Sequence, residues 1–489
     1  MIVKRINEWA RSQPSNIAII SNGRVLTYAA FARSIERARI FFERATLPQG
    51  WTAIILETPG AQIWPCVMAL RALGLNTLCI DSPEQIKTVI QKDVACVVVP
   101  EVDTAILRSN AFQGLQVLIL PETIFSTVSL DDPLPESNYT PSFGGHILLT
   151  SGTTGTYKKV FLKGTDEDRR NAARARAYPL TKNVIYHAVN LGLWTTIGFR
   201  LPSAVWHVGG CVITDHRSSL FQSFFHHDVN FSILTPGMLK KLVESKAVCP
   251  NPENCELQIT AGFLPMNLAK TVLGCLAKNI SISYGSTELS TPALLSRSTV
   301  ASEELYWLTP ADRKIRIVDE SGNDCSPGQE GELRIQLWEI DCSSYFDDEE
   351  TSARIFRDRF FCPGDMAVNR ADGRVRVLGR TTDVLKLRGN KVATAPIELE
   401  IQRALNVSEV CLFSGVNHVG EEELVVVIES EQMLSFAAID RITAAFPSFE
   451  RVRFAFFKEF PRVQTGTEKV ARIVLRKWVF DEEAGQNNK

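Results

Sequence analysis

The sequence predicts an α/β fold: a large N-terminal domain of layered α/β subdomains plus a β-rich subdomain, followed by a small, mobile α+β domain. The chain has 489 residues, more than a single hydrophobic core usually accommodates. Short apolar runs alternate with segments of helical periodicity through the first half, which is typical of parallel sheets covered by helices. From about residue 314 the pattern changes to hairpins with period-two alternation, which predicts the β-rich part.

The first 130 residues predict one layered subdomain. The run 25–28 leads into a helix whose apolar residues recur at helical spacing from Phe31 to Phe42. The apolar runs 53–56 and 95–99 are predicted as buried strands, with a helix over 61–73 between them.

A second subdomain is predicted after a linker rich in Asp, Pro and Ser at 130–141. A strand at 146–149 runs into a glycine-rich segment, and α/β alternation continues to about residue 285. The runs 315–318 and 331–335 then predict hairpin strands.

The main domain boundary is predicted near residues 380–383. We expect residues 1–380 to form the large domain, residues 381–383 to form a hinge, and residues 384–489 to form the small C-terminal domain.

Composition excludes several classes of function. Lys and Arg number 53 against 55 Asp and Glu, so there is no basic excess to hold a nucleic acid or an anionic membrane. The 11 cysteines form no Cys-x-x-Cys pair, which predicts free thiols in a reducing compartment. Charges interrupt the N-terminus too early for a signal peptide, and the least charged stretch, 186–199, is too short and too polar to span a bilayer. We therefore expect a cytoplasmic protein without a membrane span.

The glycine-rich segment after the strand at 146–149 is the strongest local signal. It reads Thr150-Ser151-Gly152-Thr153-Thr154-Gly155-Thr156-Tyr157-Lys158-Lys159. Two glycines allow backbone N–H groups to turn inward, and hydroxyls and a lysine add donors, which suits a polyphosphate. No Lys follows the second glycine directly, so it is not the common nucleotide-binding loop with Gly-Lys-Ser/Thr. Taken alone, the segment fits a flexible surface loop equally well.

Two turn-like segments carry candidate nucleotide contacts. In Tyr284-Gly285-Ser286-Thr287-Glu288 a ring can stack on a purine and a carboxylate can ligate magnesium, although an edge strand with a solvated Glu explains the pattern as well. In Pro363-Gly364-Asp365 the carboxylate is suited to accept ribose hydroxyls, or the segment is only a turn. Lys469 lies in a glycine-bearing loop, where a lysine is usually just solvated.

Together and in this order, these segments resemble the adenylate-forming superfamily of acyl-CoA synthetases, adenylation domains and luciferases. The glycine-rich loop is similar to that family's phosphate loop, and 284–288 is similar to its Tyr-Gly-x-Thr-Glu segment. Further matching segments are Gly331-Glu332-Leu333-Arg334-Ile335, Pro363-Gly364-Asp365, the hinge-like run 379–386, the run 388–392 and Pro396-Ile397-Glu398.

The resemblance implies a role for each matching residue. Phosphate binding falls to Thr150, Ser151, Gly152, Thr153, Thr154, Gly155 and Lys158, and adenine and ribose binding to Gly262, Tyr284, Gly285, Asp365 and Arg380. It also implies Glu288 as the magnesium ligand, Lys469, Thr287 and Arg380 as catalytic residues, Thr382 as the hinge residue and Gly389 in a thiol tunnel.

The activity that the resemblance implies has two steps. A carboxylic acid reacts with ATP to give an acyl-AMP and pyrophosphate, with Mg²⁺ as cofactor, and the acyl group then passes to the thiol of coenzyme A. The small domain is expected to rotate between the steps. The most similar members are stand-alone acid–CoA ligases.

Outside the acyl pocket, where Val189 or Asn190 stands in place of the usual aromatic residue or His, the chain departs from the family pattern at three places. Tyr157 replaces the usual Pro, and Thr382 replaces the usual Asp or Lys at the hinge. Thr467 and Glu468 separate the glycine of the last motif from Lys469, although the spacing from this lysine to the following arginine is kept.

The resemblance also locates an acyl pocket. Its predicted residues are mostly apolar, which favours an aryl or aliphatic acid: they are Val189, Leu191, Trp194 and Thr195. No Asp occurs between Asp168 and Asp215 to pair with an ammonium group, so an amino acid substrate is disfavoured. His187 is interpreted as a core histidine.

Two other functions stay open from the sequence. A stand-alone adenylation enzyme that loads the phosphopantetheine of a separate acyl carrier protein would carry the same motifs. An inactive homologue that only binds a nucleotide or an acyl-AMP would also match, and the departures at Tyr157, Thr382 and Lys469 motivate that alternative. The shared fold also admits a luciferase-type oxygenase, for which no residue gives positive evidence.

Overall fold

The computed structural model describes most of the chain. The residues it does not describe are 57–59, 90–91, 102–111, 122, 127–133, 135–142, 152–156, 179, 190–191, 215–220, 222–223, 225–226, 246–248, 382, 388–389, 406, 408, 417–421, 431–434, 446–450, 463–468 and 481–489.

Helices and strands alternate along the described chain, which confirms the predicted α/β class. The helices are α1 Ile2–Ser12, α2 Tyr28–Glu43, α3 Gly60–Ala72, α4 Ile86–Val89, α5 Thr123–Ser126, α6 Glu167–Ala177, α7 Thr196–His207, α8 Pro236–Glu244, α9 Met266–Cys275, α10 Glu349–Ile355, α11 Thr394–Leu405, α12 Phe436–Ala445 and α13 Arg472–Phe480. The first strands are β1 Ile17–Ser21, β2 Arg24–Thr27, β3 Thr52–Leu56, β4 Asn76–Ile80, β5 Val94–Pro100, β6 Val117–Leu120, β7 His146–Ser151, β8 Tyr157–Leu162, β9 Ile185–Ala188, β10 Cys211–Thr214, β11 Phe231–Leu234, β12 Glu256–Thr260 and β13 Asn279–Tyr284. The remaining strands are β14 Leu294–Ser298, β15 Thr309–Pro310, β16 Ile315–Val318, β17 Glu330–Gln336, β18 Phe356–Arg357, β19 Phe360–Phe361, β20 Asp365–Asn369, β21 Val375–Arg380, β22 Val384–Leu387, β23 Asn390–Ala393, β24 Glu409–Val416, β25 Glu422–Glu429 and β26 Arg451–Phe457.

The first large sheet fixes both ends of the glycine-rich segment. Its strand order is β6-β5-β3-β4-β7-β8, and every pair is parallel apart from β7 and β8. In that antiparallel pair Thr150 lies opposite Lys158. Residues 152–156, which connect the two strands in the sequence, lie outside the described residues. The predicted buried strands at 53–56 and 95–99 are confirmed as β3 and β5.

The second large sheet carries the Tyr284 segment at the end of β13. Its order is β15-β14-β13-β12-β11-β9-β10-β1-β2, with parallel pairs in the middle and antiparallel pairs at both ends. Thr260 of β12 pairs with Ser283 of β13, so Gly262 and Gly285 follow the ends of neighbouring parallel strands. The carboxyl edge of a parallel sheet is where α/β proteins usually bind ligands.

Threonines begin the helices that leave these sheets. The hydroxyl of Thr27 accepts a hydrogen bond from Ala30 N at 3.2 Å and starts α2. In α7 the hydroxyl of Thr195 accepts one from Gly198 N at 3.0 Å. Such caps satisfy backbone donors that have no partner within the helix, and they fix where each helix begins.

A β-rich subdomain follows the second sheet, as predicted. It contains β16 to β21, and the hairpin of β20 and β21 sets Asp365 directly opposite Arg380. Gly364, just before β20, has φ +76°, a conformation that favours glycine and that turns the chain into this strand.

The C-terminal part has its own sheet and apolar core. β22 pairs with β23, and β24, β25 and β26 form a three-stranded sheet against α11, α12 and α13. Leu412, Val426 and Ile428 form part of its buried core. The boundaries at 380 and 384 and the hinge role of 381–383 stay predictions. No helix in the described chain is long and apolar enough to cross a bilayer. None of the eleven cysteines, all of which lie in the described part of the chain, is in a disulfide, as expected.

Candidate active site

A hydrogen bond joins the Tyr284 segment to the β-rich subdomain. The Tyr284 hydroxyl donates to Oδ2 of Asp365. Burial raises the pKa of Tyr284 well above its ordinary value, and the neighbouring Asp365 raises it further. The two segments are separated by 81 residues, so only the fold brings them together.

Asp365 is a mostly buried carboxylate that also faces two cations. Its Oδ1 lies 3.2 Å from Nε of Arg380, whose Nη1 donates to Pro363 O at 2.6 Å. Burial raises the pKa of Asp365, whereas Arg380, the Tyr284 hydroxyl and Lys469 lower it. The side chain of Arg380 is 52% exposed and that of Asp365 only 10%, so the guanidinium faces solvent, at what we take as the mouth of a candidate nucleotide cleft around Asp365.

Glu288 is a buried carboxylate held by two hydroxyl groups. Its Oε1 accepts from the Tyr345 hydroxyl at 2.5 Å, and its Oε2 accepts from the Ser286 hydroxyl. Its backbone oxygen accepts from Cys342 N at 2.9 Å. No group of three His, Cys, Asp or Glu side chains that could form an all-protein metal site occurs in the described part of the chain. A single carboxylate fits Mg²⁺ bound mainly by phosphate oxygens and water.

Lys158 and Glu288 both contact Tyr345. The ammonium group of Lys158 lies 5.0 Å from the centroid of the Tyr345 ring, within cation–π range. Burial lowers the pKa of Lys158, and the nearby charge of Glu288 opposes that effect. The lysine that ends the glycine-rich segment therefore lies beside the proposed metal ligand.

Lys469 brings a third part of the chain to the same cleft. The residue as a whole is exposed, but its ammonium group is close enough to Asp365 and Arg380 to sense both charges. Desolvation of the ammonium group lowers the pKa of Lys469, Arg380 lowers it further, and Asp365 raises it. The Lys469 side chain is thus open to solvent, and its neighbours shield only the amino group.

A buried ion pair supports the segment that follows Glu288. Arg313 and Asp341 are fully buried and lie 2.5 Å apart, and Asp341 also accepts from Ser290 N at 2.6 Å. Arg313 donates to the Thr291 hydroxyl at 3.0 Å and stacks 4.0 Å from the Trp338 ring centroid. These contacts fix the backbone just after Glu288.

The residues predicted to line the acyl pocket are not gathered in one cluster, unlike those around Asp365 and Glu288. Val189 and Trp194 are both buried but belong to different hydrophobic clusters. The Thr195 hydroxyl caps α7 and donates to Gly192 O at 2.9 Å. His187 is fully buried near Phe221 and Phe224, which confirms its interpretation as a core histidine.

Several predicted site residues cannot be placed in the cleft. Gly152, Thr153, Thr154, Gly155, Leu191, Thr382 and Gly389 lie outside the described residues. Thr287 is half-buried. Gly285 follows β13, and a Cβ atom added there would lie 3.4 Å from Pro292 Cα. The roles assigned to all these residues stay predictions.

The structure adds residues that no motif indicated. Tyr345 contacts Glu288 although it lies 57 residues away in the sequence. Asp341 contacts Ser290 and Arg313 contacts Thr291, just after Glu288. None of the segments that match the family includes them, so only a prediction of tertiary contacts could have found them.

Comparison with known proteins gives one consistent family. A family model described as AMP-binding enzyme matches residues 6–336. Malpinin synthetase of Mortierella alpina is 22% identical over 427 residues, which cover 82% of this chain but only 5% of that protein. The D-alanine–D-alanyl carrier protein ligase of Lactiplantibacillus plantarum is 25% identical, over 81% of both chains. The structure of o-succinylbenzoate CoA synthetase from Bacillus subtilis, in complex with its acyl-adenylate intermediate, matches with a TM-score of 0.79 at 18% identity, over 96% of this chain and 97% of that chain.

Proposed function

The chain belongs to the AMP-binding enzyme family, and we propose that it activates a carboxylic acid with ATP and transfers the acyl group to the thiol of coenzyme A. One observation carries this proposal. Glu288, Asp365 and Lys469 come from three distant parts of the chain. The charges of Glu288 and Asp365 both act on Tyr284, and the charge of Lys469 acts on Asp365.

In the first step, a carboxylate oxygen of the acid attacks the α-phosphorus of ATP, and the bond to the leaving pyrophosphate breaks. This reaction brings two anions together, so cations and oriented donors are its main catalytic need. Lys158, Arg380 and Lys469 supply positive charge, and Lys469 is assigned to the α-phosphate and the acyl oxygens. Thr287 is assigned to the same step, next to Glu288.

Asp365 is assigned to the ribose. Its buried carboxylate already accepts a hydrogen bond from the Tyr284 hydroxyl, so it is held in an orientation that can accept further hydroxyl groups. Gly262 and Gly285 border the expected adenine position at the ends of β12 and β13, where the absence of a side chain allows close approach.

Glu288 is assigned to magnesium, which supplies positive charge at the phosphate oxygens when it is bound. Ser286 and Tyr345 orient the carboxylate, because each donates to a different oxygen. The ammonium group of Lys158 lies near this carboxylate and adds positive charge beside it.

In the second step, a thiol attacks the acyl carbonyl carbon and AMP leaves. Residues 384–489, which contain Lys469, are proposed to rotate about 381–383 so that the thiol can enter. Two ion pairs between these parts of the chain are suited to breaking: Arg403 pairs with Glu303 at 2.5 Å and Lys240 with Glu429 at 3.8 Å. Three of these four side chains are at least one-third exposed, so each pair contributes little to stability.

The acceptor has two candidates. Coenzyme A is favoured by the match to o-succinylbenzoate CoA synthetase over nearly the full length of both chains. A separate carrier protein is the second candidate, because the D-alanine–D-alanyl carrier protein ligase matches over 81% of both chains. Both acceptors present a thiol to the same acyl-AMP.

The activity is tested by exchange of labelled pyrophosphate into ATP across a library of aryl, aliphatic and amino acids. We expect exchange with an aryl or aliphatic acid and none with amino acids. The Lys469→Ala variant should lose the exchange, and Lys477→Ala, an exposed lysine on α13, serves as its matched control. Absence of exchange with every acid, in a protein that binds ATP, would instead support the inactive homologue.

The acceptor is tested with the acid found in that screen. We expect a thioester to form when ATP, Mg²⁺ and coenzyme A are present. Efficient transfer to a phosphopantetheinylated carrier protein, with no transfer to coenzyme A, would reverse the order of the two candidates.

A further inference from the structure

A buried cavity lined by arginines lies outside the cleft, between α3, α6 and α7. Arg71, Arg170, Arg174 and Arg200 line it together with Glu167 and Asn171, and all six are at least nine-tenths buried. The cavity has room for little more than one water-sized guest. Four arginines in one dry site are unusual, because arginine is almost never fully buried unless it is paired.

Negative charge in this cavity is insufficient for its arginines. Glu167 lies 2.6 Å from Arg71 and also accepts from the backbone N–H of Ile2 at 2.9 Å. The next carboxylate, Asp166, is 3.9 Å from Arg170 and partly exposed. Asp341 also acts on Arg174 and Arg200, but it is already paired with Arg313.

Burial and mutual repulsion lower the pKa values of three of these arginines. Burial lowers the pKa of Arg170 to about 10, although Glu167 and Asp166 oppose that shift. Burial also lowers the pKa of Arg174 and of Arg200, and Arg174 and Arg170 lower that of Arg200 further. A negative charge in their midst would relieve both the desolvation and the repulsion.

Two hydrogen-bond donors in the cavity wall are unused. Within the described part of the chain, Nδ2 of Asn171 and Nε of Arg200 have no hydrogen-bond partner. Buried donors of this kind are rare in native proteins and usually indicate a bound water or ion.

From these observations we infer that the cavity binds one small monovalent anion of the size of chloride. The excess of arginines selects a negative guest, and the narrow space excludes carboxylates and phosphates. Asn171 and Arg200 donate to it, and the remaining arginines neutralise it.

The anion site is connected to the cleft through backbone oxygens. Arg200 Nη1 donates to Leu289 O at 2.5 Å, and Arg174 donates to Ser290 O; these are the two residues after Glu288. Arg71 donates to Gly144 O at 3.0 Å, just before β7. The bound anion therefore stabilises the arginines that position both the Glu288 segment and the strand leading to the glycine-rich loop.

The test is thermal unfolding of the full chain at constant ionic strength, with sodium methanesulfonate replaced stepwise by sodium chloride or bromide. We expect the melting temperature to rise by at least about 2 °C and to level off, because a ligand that binds only the folded state stabilises it by mass action. Methanesulfonate is too large for the cavity and should have no such effect. A melting temperature that is indifferent to halide would overturn the inference.

Two variants on α6 separate this site from general salt effects. Asn171→Asp places a fixed negative charge in the cavity wall and should abolish the halide dependence. Arg169→Gln, an exposed neighbour on the same helix, should keep it. Halide dependence that persists in Asn171→Asp would contradict the assignment.

Should Asn171→Asp fail to fold, crystals of the unaltered chain grown in bromide give an independent result. An anomalous bromide peak among Arg170, Arg174 and Arg200 is expected, and a water molecule there without bromide would overturn the inference. Neither measurement depends on the proposed catalytic activity.

Discussion

Two charged regions meet at the segment 284–291, and they differ in how completely their charges are satisfied. In the cleft, Arg380 is half-exposed and Lys469 is exposed. Behind the segment, Arg313 and Asp341 are fully buried, and both oxygens of Asp341 are occupied by protein donors. The cleft thus keeps exposed cations that a ligand can use, whereas the buried carboxylate has both oxygens occupied and holds the backbone. The same residue types serve binding in one place and structure in the other.

The largest effect is expected from removing the lysine of the cleft. Lys469→Ala should lower the rate of acyl-AMP formation by about 10³-fold or more, because its charge acts where negative charge builds up. Stability should change little, since the residue is exposed. The measurement is the single-turnover rate of each half-reaction, with preformed acyl-AMP used for the second.

For this variant, thiol attack on the preformed acyl-AMP should stay near the rate of the unaltered chain, as it should in both half-reactions of Lys477→Ala. An equal loss in both half-reactions would contradict the role assigned to Lys469.

For the buried pair of Arg313 and Asp341, we expect a substitution to lower stability, whereas Lys469→Ala should lower activity and leave stability almost unchanged. Asp341→Ala leaves Arg313 buried without its partner, so we expect the free energy of unfolding to fall by about 3 kcal/mol. Urea unfolding followed by fluorescence measures this loss. Asp324→Ala, which removes a mostly exposed carboxylate paired with Arg316, is the matched control and should cost less than about 1 kcal/mol. If the two variants were equally stable, burial would not account for the structural role assigned to the Arg313–Asp341 pair.

A buried histidine extends the comparison to pH. His146 is fully buried, lies 2.8 Å from the Thr77 hydroxyl and 2.8 Å from Leu193 O, and burial lowers its pKa to about 3. Between that value and the unfolded pKa of about 6.5, the unfolded chain binds a proton that the folded chain does not. Stability due to this group is therefore present above pH 6.5 and is lost as the pH falls.

We expect this group alone to lower the free energy of unfolding by about 2 kcal/mol between pH 7 and pH 5. The measurement is the difference between the pH dependences of the unaltered chain and His146→Gln. This variant lacks the imidazole and shares every other titratable group with the unaltered chain. Parallel pH profiles would show that His146 is not held neutral by burial.

The smallest effect is expected at the ion pair of Glu303 and Arg403, which joins residues 1–380 to residues 384–489. Glu303→Gln weakens the exposed pair with Arg403, so acyl-AMP formation should slow and thioester formation should quicken, each by about two- to threefold. Glu304→Gln is the matched control, because Glu304 pairs with Arg370 and Arg374 of the β-rich subdomain. Equal changes in both variants would argue against a contact that breaks on rotation.

The sequence predicted the fold class and the cleft segments better than their surroundings. Strands β3, β5 and β17 were predictable because each is a local pattern of apolar residues. The segment 284–288 was recognisable because tyrosine, glycine, threonine and glutamate lie side by side. The predicted helix over 61–73 is shifted by one residue, to Gly60–Ala72, which is the usual uncertainty at helix ends.

Contacts between residues that are far apart in the sequence could not be predicted. Nothing in the sequence around Arg313 and Asp341 indicates that the two side chains meet in a dry interior. The arginines of α6 and α7 likewise resemble ordinary surface charges, because their burial depends on how α3 and the N-terminus pack against them. Pairing and burial arise from tertiary structure, and a single sequence does not reveal them.

The central claim is that Lys158, Glu288, Asp365 and Lys469 surround one nucleotide. Crystals of the chain grown with ATP and Mn²⁺ in place of Mg²⁺ test it directly. We predict an anomalous manganese peak at the Glu288 carboxylate, with the ribose hydroxyls of the same nucleotide at Asp365. Manganese remote from Glu288, or a nucleotide bound on a surface that does not include Asp365, would contradict it.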